Sequence, residues 1–242
     1  MMERQNVEQL AEWMRESEKT VVLTGAGMST ESGIPDFRSK KGWWKKIDPM
    51  SVSTTEALEN EYELFHDFYQ VRLTDLNACR PHSGHHVLAD WEKQGLLSAI
   101  VTQNVDGFHH AAGNEKVFEL HGSLRSILCS ECGRGADEES FLNHKACLSC
   151  EGNLRPDIVL FGEMLPQDVW GEAIREIEQS DLLIVIGSSL KVAPANELPF
   201  LSTGKKVIIN NEETYLHNAF DLHVDGNAGT VLETLQELVK EG

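Results

Sequence analysis

Thr20-Val21-Val22-Leu23 is a β-branched apolar run that leads, one residue later, into Gly25-Ala26-Gly27. Such a run ending in Gly-x-Gly predicts a strand whose carboxyl end delivers backbone to a dinucleotide pyrophosphate. Glycines there leave room for close approach, and the loop N–H groups and the following helix N-terminus favour negative charge. The spacing departs from the ordinary dehydrogenase fingerprint, which wants Gly-x-Gly-x-x-Gly and an acidic residue about twenty positions on. Here the third glycine is late, at Gly33, and twenty positions on stands Trp43-Trp44-Lys45-Lys46. The loop runs instead into Pro35-Asp36-Phe37-Arg38, which sets a carboxylate, an aromatic ring and a guanidinium beside the cofactor. That predicts a loop built to act on the dinucleotide as well as to hold it.

Short β-rich runs bounded by turn residues predict strands at 20–24, 98–102, 182–187, 206–210 and 222–224. Amphipathic helical patterns lie at 6–18, 83–94, 166–179 and 228–240. Alternation of the two predicts an α/β fold, a Rossmann-like doubly wound parallel sheet with helices on both faces. In such sheets ligands sit outside the carboxyl ends of the strands. Gly25-Ala26-Gly27, Gln103-Asn104-Val105-Asp106 and Gly187-Ser188-Ser189 each follow a strand, so one crevice would collect all three. Two stretches break the rhythm, about 36–80 and about 124–156, and read as insertions that form a smaller module. The large part then comprises about 1–35, 81–123 and 157–242, within one domain spanning 1–242.

A length of 242 residues, 40% of them apolar, suffices for a full core. The formal charge of −18, from 21 basic and 39 acidic residues, repels phosphate backbones and argues against direct nucleic-acid binding. It would attract basic, lysine-bearing protein segments, although an acidic surface also serves solubility alone. No apolar run approaches membrane-spanning length and the N-terminus has no apolar signal region, so a cytoplasmic location is expected. No linker or low-complexity tract is visible, and a catalytic core without regulatory tails, acting as a monomer, is the expectation.

Cys129-x-x-Cys132 is followed after fourteen residues by Cys147-x-x-Cys150. Two knuckles of this kind present four thiolates to one structural Zn²⁺, a closed tetrahedron with no position left for catalysis. His144 offers an alternative ligand that nothing requires, and Cys79 is left over as an inert thiol. Most of the ten histidines read as core or surface groups, among them His85-His86 beside Val87, Leu88 and Trp91, and His109-His110 after a turn.

Taken in order, Gly25-Ala26-Gly27 through Pro35-Asp36-Phe37-Arg38, Thr102-Gln103-Asn104-Val105-Asp106-Gly107, Glu119-Leu120-His121-Gly122-Ser123, the cysteine pairs, Arg155-Pro156-Asp157-Ile158-Val159-Leu160-Phe161-Gly162-Glu163, and Gly187-Ser188-Ser189-Leu190 with Val192-Ala193-Pro194-Ala195 form one series. That series resembles the sirtuins, the NAD-dependent protein lysine deacylases, in their bacterial form. The resemblance runs from about Val21 to about Val231, with Val105 where isoleucine is usual and Ser188 where threonine is usual. It implies NAD as a co-substrate, acyl-lysine-containing proteins as partners, and a substrate cleft between the large part and the small module. The acyl oxygen of a modified lysine would attack C1′ of the nicotinamide ribose and release nicotinamide. His121 would then act as general base on a ribose hydroxyl, a task that suits an imidazole near neutrality. That hydroxyl would attack the imidate and water would finish the transfer, giving free lysine and O-acyl-ADP-ribose.

By the same resemblance, Asp106 and Val105 would hold the nicotinamide carboxamide, Gln103 the ribose, and Asn104 a ribose hydroxyl or ordered water in a catalytic role. Phe37 would cover the ribose face and Arg38 contact phosphate or ribose oxygens. Ser188 and Ser189 would meet the phosphates, Asn210 the adenosine ribose and Ala228 the adenine. Gly25, Ala26, Gly27, Thr30, Asp36 and Gly187 complete the cofactor set. Val159 and Phe161, otherwise plain core residues, would wall the acyl-lysine tunnel and offer an edge for peptide pairing.

Leu58, Tyr62, Phe65, Tyr69, Arg72 and Leu76 repeat at helical spacing on one apolar face. Arg72 on that face either snorkels to solvent, pairs with Asp75 or Glu61, or serves the substrate. In the last case Tyr69-x-x-Arg72 resembles the pair of sirtuins that remove succinyl or malonyl groups, and the pair would grip a carboxylate. Two other readings remain: a mono-ADP-ribosyltransferase using the same glycosidic cleavage, and a catalytically silent NAD-sensing scaffold.

Overall fold

The computed structural model describes residues 4–34, 49–212, 214 and 216–240. In chain order the elements are α1 (Arg4–Glu16), β1 (Thr20–Thr24), α2 (Pro49–Val52), α3 (Thr55–Asn60), α4 (Tyr62–Ala78), α5 (Ser83–Lys93), β2 (Ala99–Thr102), α6 (Phe108–Ala112), β3 (Val117–Glu119), β4 (Gly122–Cys129), β5 (Gly135–Ala136), α7 (Glu138–Leu142), β6 (Leu154–Ile158), α8 (Gln167–Glu178), β7 (Leu182–Ile186), β8 (Lys205–Asn210), β9 (Leu222–Asp225) and α9 (Ala228–Lys240). Short 3₁₀ turns follow β1 (Ala26–Ser32) and β7 (Ala195–Phe200).

Six strands pair in parallel in the order β3-β2-β1-β7-β8-β9. The chain therefore winds outward from β1 through β2 to β3, then returns to lay β7 on the other side of β1. Loops leaving β1, β2 and β7 meet at that reversal, where a parallel sheet opens its crevice. Along β1 the side chains alternate between two cores. Val22 joins the apolar faces of α1, α5 and α9, while Val21 and Leu23 pack with α8 residues such as Ile177 and with the 3₁₀ turn residue Leu198. Burial on both faces explains why these central strands are continuously apolar.

The predicted strands and helices of this sheet are all present, with ends shifted by a residue or two. β7 stops at Ile186 because Gly187 turns the chain with φ +63°. β3 escapes pattern reading because it has three half-buried residues on an edge.

A third core joins α2–α4, α7 and the antiparallel sheet β5-β4-β6, around Phe65, Phe68, Tyr69, Phe141 and Leu154. The expected single helical face from Leu58 to Leu76 is corrected. Glu61 (φ −134°, ψ 43°) ends α3, and α4 begins afresh at Tyr62, so Leu58 lies on a separate helix. Among the described residues no helix is long and apolar enough to cross a membrane.

Candidate active site

The loops after β1 and β7 are packed backbone to backbone. A Cβ on Gly27 would stand 2.7 Å from Gly187 Cα, and one on Gly25 would stand 2.9 Å from Gly187 O. Gly27 N–H donates to Gly187 O at 2.8 Å, Gly25 N–H to Ile186 O at 3.0 Å and Met28 N–H to Gly25 O at 2.9 Å. The glycines thus also serve loop-to-loop contact. The element after them is a 3₁₀ turn, with its own weaker hydrogen-bond geometry.

The loop after β2 closes onto the same spot. Buried Asn104 donates from Nδ2 to Gly25 O at 3.1 Å and to Ser29 Oγ at 3.2 Å. Ser29 Oγ–H in turn donates to Asp106 Oδ2 at 2.6 Å, while Asp106 Oδ1 accepts from Phe108 N–H at 2.9 Å. Burial raises the Asp106 carboxyl pKa, and these two hydrogen bonds with the charges of Arg125 and Arg72 pull it back. Gln103 Nε2 donates to Ser188 Oγ at 3.0 Å, and Asn210 Nδ2 donates to Ser188 O at 3.3 Å. Gln103, Asn104, Asp106, Ser188 and Asn210 therefore form one polar floor. Thr30 is exposed at its rim, its hydroxyl on Gly27 O. Ala228 is buried in the first turn of α9, and the next amide, Gly229 N–H, donates to Glu31 Oε2 at 2.6 Å.

His121 stands between the two sheets, directly after β3 and before β4. Its Nδ1 lies 3.0 Å from Gln103 O. A carbonyl only accepts, so Nδ1 carries the proton and Nε2 keeps its lone pair. Burial lowers the His121 pKa from the ordinary value, with the hydrogen bond to Gln103 opposing it, so the ring is neutral at pH 7. The result is an oriented imidazole with a basic nitrogen available.

The chain after β6 is fastened beside it. Val159 N–H donates to His121 O at 2.9 Å and Phe161 N–H to Ser53 O at 2.8 Å. Buried Arg155 pairs with Glu163 at 2.5 Å and also donates to Ile158 O, while Leu160 N–H donates to Glu163 Oε2 at 2.8 Å. Burial alone would raise the Glu163 pKa, but Arg155 and that amide bring it below the usual value. Held this way, Phe161 remains half exposed and Val159 half buried, neither a plain core residue.

Tyr69 is fully buried on α4, and its hydroxyl donates to Ser53 Oγ at 2.9 Å, the serine whose carbonyl holds Phe161. Arg72 lies one turn on, its Cζ 5.6 Å from the Tyr69 ring centre and 5.8 Å from that of Phe68. It hydrogen-bonds Tyr69 and feels the Asp106 charge.

The four cysteine Sγ atoms all lie within 4.8 Å of one another, with Cys129–Cys150 at 3.5 Å and Cys132–Cys147 at 3.7 Å. A tetrahedron with zinc–sulfur bonds of about 2.3 Å needs sulfurs about 3.8 Å apart. The knuckle amides Glu131 N–H and Ser149 N–H point at Cys129 and Cys147 Sγ, each at 3.4 Å. These thiols are spaced to hold one structural zinc. His144 is turned elsewhere, its Nε2 3.4 Å from Glu63 and its ring centre 3.9 Å from that of His66.

A family model described as the Sir2 family matches residues 25–194. The chain belongs to the Sir2 family. NAD-dependent protein deacetylase 1 of Geobacillus kaustophilus (strain HTA426) is 47% identical over 237 residues, covering 96% of this chain and 98% of that one. A solved Sir2 homolog–NAD complex superposes with TM-score 0.91 at 38% identity, covering 97% of this chain and 94% of that one. A Sir2–p53 peptide–NAD⁺ structure gives TM-score 0.88 at 35% identity, covering 97% and 98% respectively.

Asp36, Phe37 and Arg38 lie outside the described residues of this Sir2 chain. Three site residues went unnoticed in the sequence. Ser29, which ties Asn104 to Asp106, sits inside the glycine motif as one hydroxyl among several. Glu31 and Arg125 carry no local signal, because their partners are 198 and 19 residues away.

Proposed function

We propose that this Sir2 chain removes acyl groups from protein lysines with NAD as acyl acceptor, releasing nicotinamide, O-acyl-ADP-ribose and free lysine. NAD would supply the ribose carbon that loses nicotinamide and takes the acyl oxygen, with water completing the transfer as the lysine nitrogen leaves. His121 Nε2 takes the proton from a ribose hydroxyl, and its Nδ1–H bond to Gln103 O fixes the ring for that transfer. Asn104 orients the ribose hydroxyl or a water. Asp106 and Val105 hold the carboxamide, and Gln103, Ser188, Ser189 and Asn210 the sugars and phosphates, with Gly25, Ala26, Gly27, Thr30, Gly187 and Ala228 shaping the floor. By the family resemblance Asp36, Phe37 and Arg38 would also belong to the cofactor set. Val159 and Phe161 flank the lysine chain.

The observation that carries this reading is the bond from Val159 N–H to His121 O, which joins the lysine-flanking segment to the base itself. The named activity of the Geobacillus relative and the peptide in the solved complex support it. We also propose that Tyr69 and Arg72 accept a carboxylate at the end of the acyl chain, giving succinyl or malonyl removal beside deacetylation. The whole chain would act as one catalytic domain, with the cysteine-bearing module as its smaller part, as a cytoplasmic monomer that avoids nucleic acid.

Nicotinamide release measured with and without an acetyl-lysine peptide tests the reading, on wild type and His121→Ala. Release should require the peptide, and His121→Ala should lose about 10²–10⁴-fold in lysine formation while still binding NAD. Release onto water or another acceptor without peptide would favour ADP-ribosyl transfer, and no release at all would favour a silent scaffold.

A further inference from the structure

Arg125 stands on β4, beyond the sequence motifs, yet it reaches the loop after β2. Its Nε–H donates to Asp106 O at 2.8 Å, and its guanidinium lies 5.8 Å from the Phe108 ring centre. Its Nη1 approaches Asn77 Oδ1 on α4 at 3.4 Å. The side-chain stem covers Gly107, where φ is +71° and a Cβ would stand 3.0 Å from Arg125 Cδ. The preceding residue, Leu124, donates its N–H to Val105 O at 2.8 Å. Two successive residues of β4 therefore hold two successive carbonyls of the loop, those of Val105 and Asp106.

We infer that Arg125 is a positioning residue for the nicotinamide end of the cofactor, fixing the Val105–Gly107 turn from the small module and not touching NAD itself. This rests on the proposed function, which gives Val105 and Asp106 the carboxamide. Ser29 and Phe108 N–H hold the Asp106 side chain and Leu124 N–H holds Val105 O, while the Asp106 carbonyl is held by Arg125. Gly107 adopts a left-handed conformation beneath the Arg125 stem, and the guanidinium holds the carbonyl of the Asp106–Gly107 peptide against rotation. The residues proposed for the phosphates and adenosine lie after β7 and β8 and on α9, whereas the side-chain hydrogen bonds of Arg125 go to Asp106 and Asn77. The predicted defect is therefore confined to one end of the dinucleotide.

Arg125→Met keeps the stem over Gly107 and removes the donor. Loss of one partly exposed charged donor corresponds to roughly three- to tenfold. KM for NAD, and the concentration of free nicotinamide that halves the rate, should each rise by that factor. The Kd for ADP-ribose, which lacks nicotinamide, and the KM for the acetyl peptide should stay within twofold. Unchanged NAD and nicotinamide values would overturn the inference. So would a fall in ADP-ribose affinity in step with NAD, which would mean a general loosening of the site. Should Arg125→Met fail to fold, Arg125→Lys is measured against the same criteria. A wild type that frees no lysine with NAD would instead refute the proposed function.

Discussion

Tyr69 and Arg72 share one face of α4 at a spacing of one turn, and their surroundings define what each can do. A fully buried phenol spends its proton on Ser53, and a guanidinium packed on two aromatic rings is directed by them. Such an arginine has planar, fixed donors suited to a carboxylate. Replacement by methionine keeps the packing volume and removes the charge. Arg72→Met should cut kcat/KM for a succinyl-lysine peptide by roughly tenfold to more than a hundredfold and leave an acetyl-lysine peptide nearly unaffected. Equal harm to both peptides would show instead that Arg72 serves the Asp106 loop. The same scale shows what the sequence could reveal. His121 was legible because a titratable group stood inside a recognisable motif, and the four cysteines because thiolate spacing is local. Arg125 was not, since its role depends on a fold that carries β4 back to the loop after β2.

Among elements, the β5-β4-β6 sheet is the one whose stability depends most on a group other than its own side chains. β5 has two residues, and Cys129 ends β4 beside it. Elemental analysis of protein purified without added metal should give one zinc per chain. Chelation should lower the thermal midpoint and expose this module to proteolysis first, because no preorganised thiolate site exists in the unfolded chain. Zinc-free protein with unchanged melting and activity would contradict that. α5 and α6 meet through histidines that the sequence leaves as core or surface groups and the structure buries. Neither ring nitrogen of buried His85 has a hydrogen-bond partner among the described residues. Its ring centre lies 4.4 Å from that of His82 and 5.1 Å from that of His109. Burial, reinforced by neighbouring histidines, pushes His85 down to about 2 and His109 to about 3. The unfolded chain takes up these protons below its pKa of about 6.5 and the folded chain does not. Stability is therefore complete above that value and is lost as pH falls toward the folded values, by up to about 1.4 kcal/mol per pH unit for each ring. Melting temperatures should fall between pH 7 and pH 5, and less steeply in His85→Leu. An equal slope in both proteins would show that other groups set the acid sensitivity.

For the molecule as a whole, the parallel sheet was readable from strand and helix periodicity because both faces of its central strands are buried. The small module was readable as insertions around four cysteines, but its internal elements were not, since its strands are short and bulged, with a register shift between Ser123 and Ile127, and its long helical face is interrupted at Glu61. The glycine loop was legible as a cofactor signal, but its contact with Gly187 required the reversal of strand order that puts β7 beside β1. That reversal, with His121 at the junction of the two sheets, is what brings the polar floor, the His121 ring and the segment after β6 together. The most direct test of this arrangement is the product balance in one reaction of enzyme, NAD and acetyl-lysine peptide, read by mass spectrometry. Nicotinamide, free lysine peptide and an ADP-ribose carrying the acetyl group should form in equal amounts. Free acetate with intact NAD, or ADP-ribose attached to protein in place of the acetylated sugar, would contradict the account.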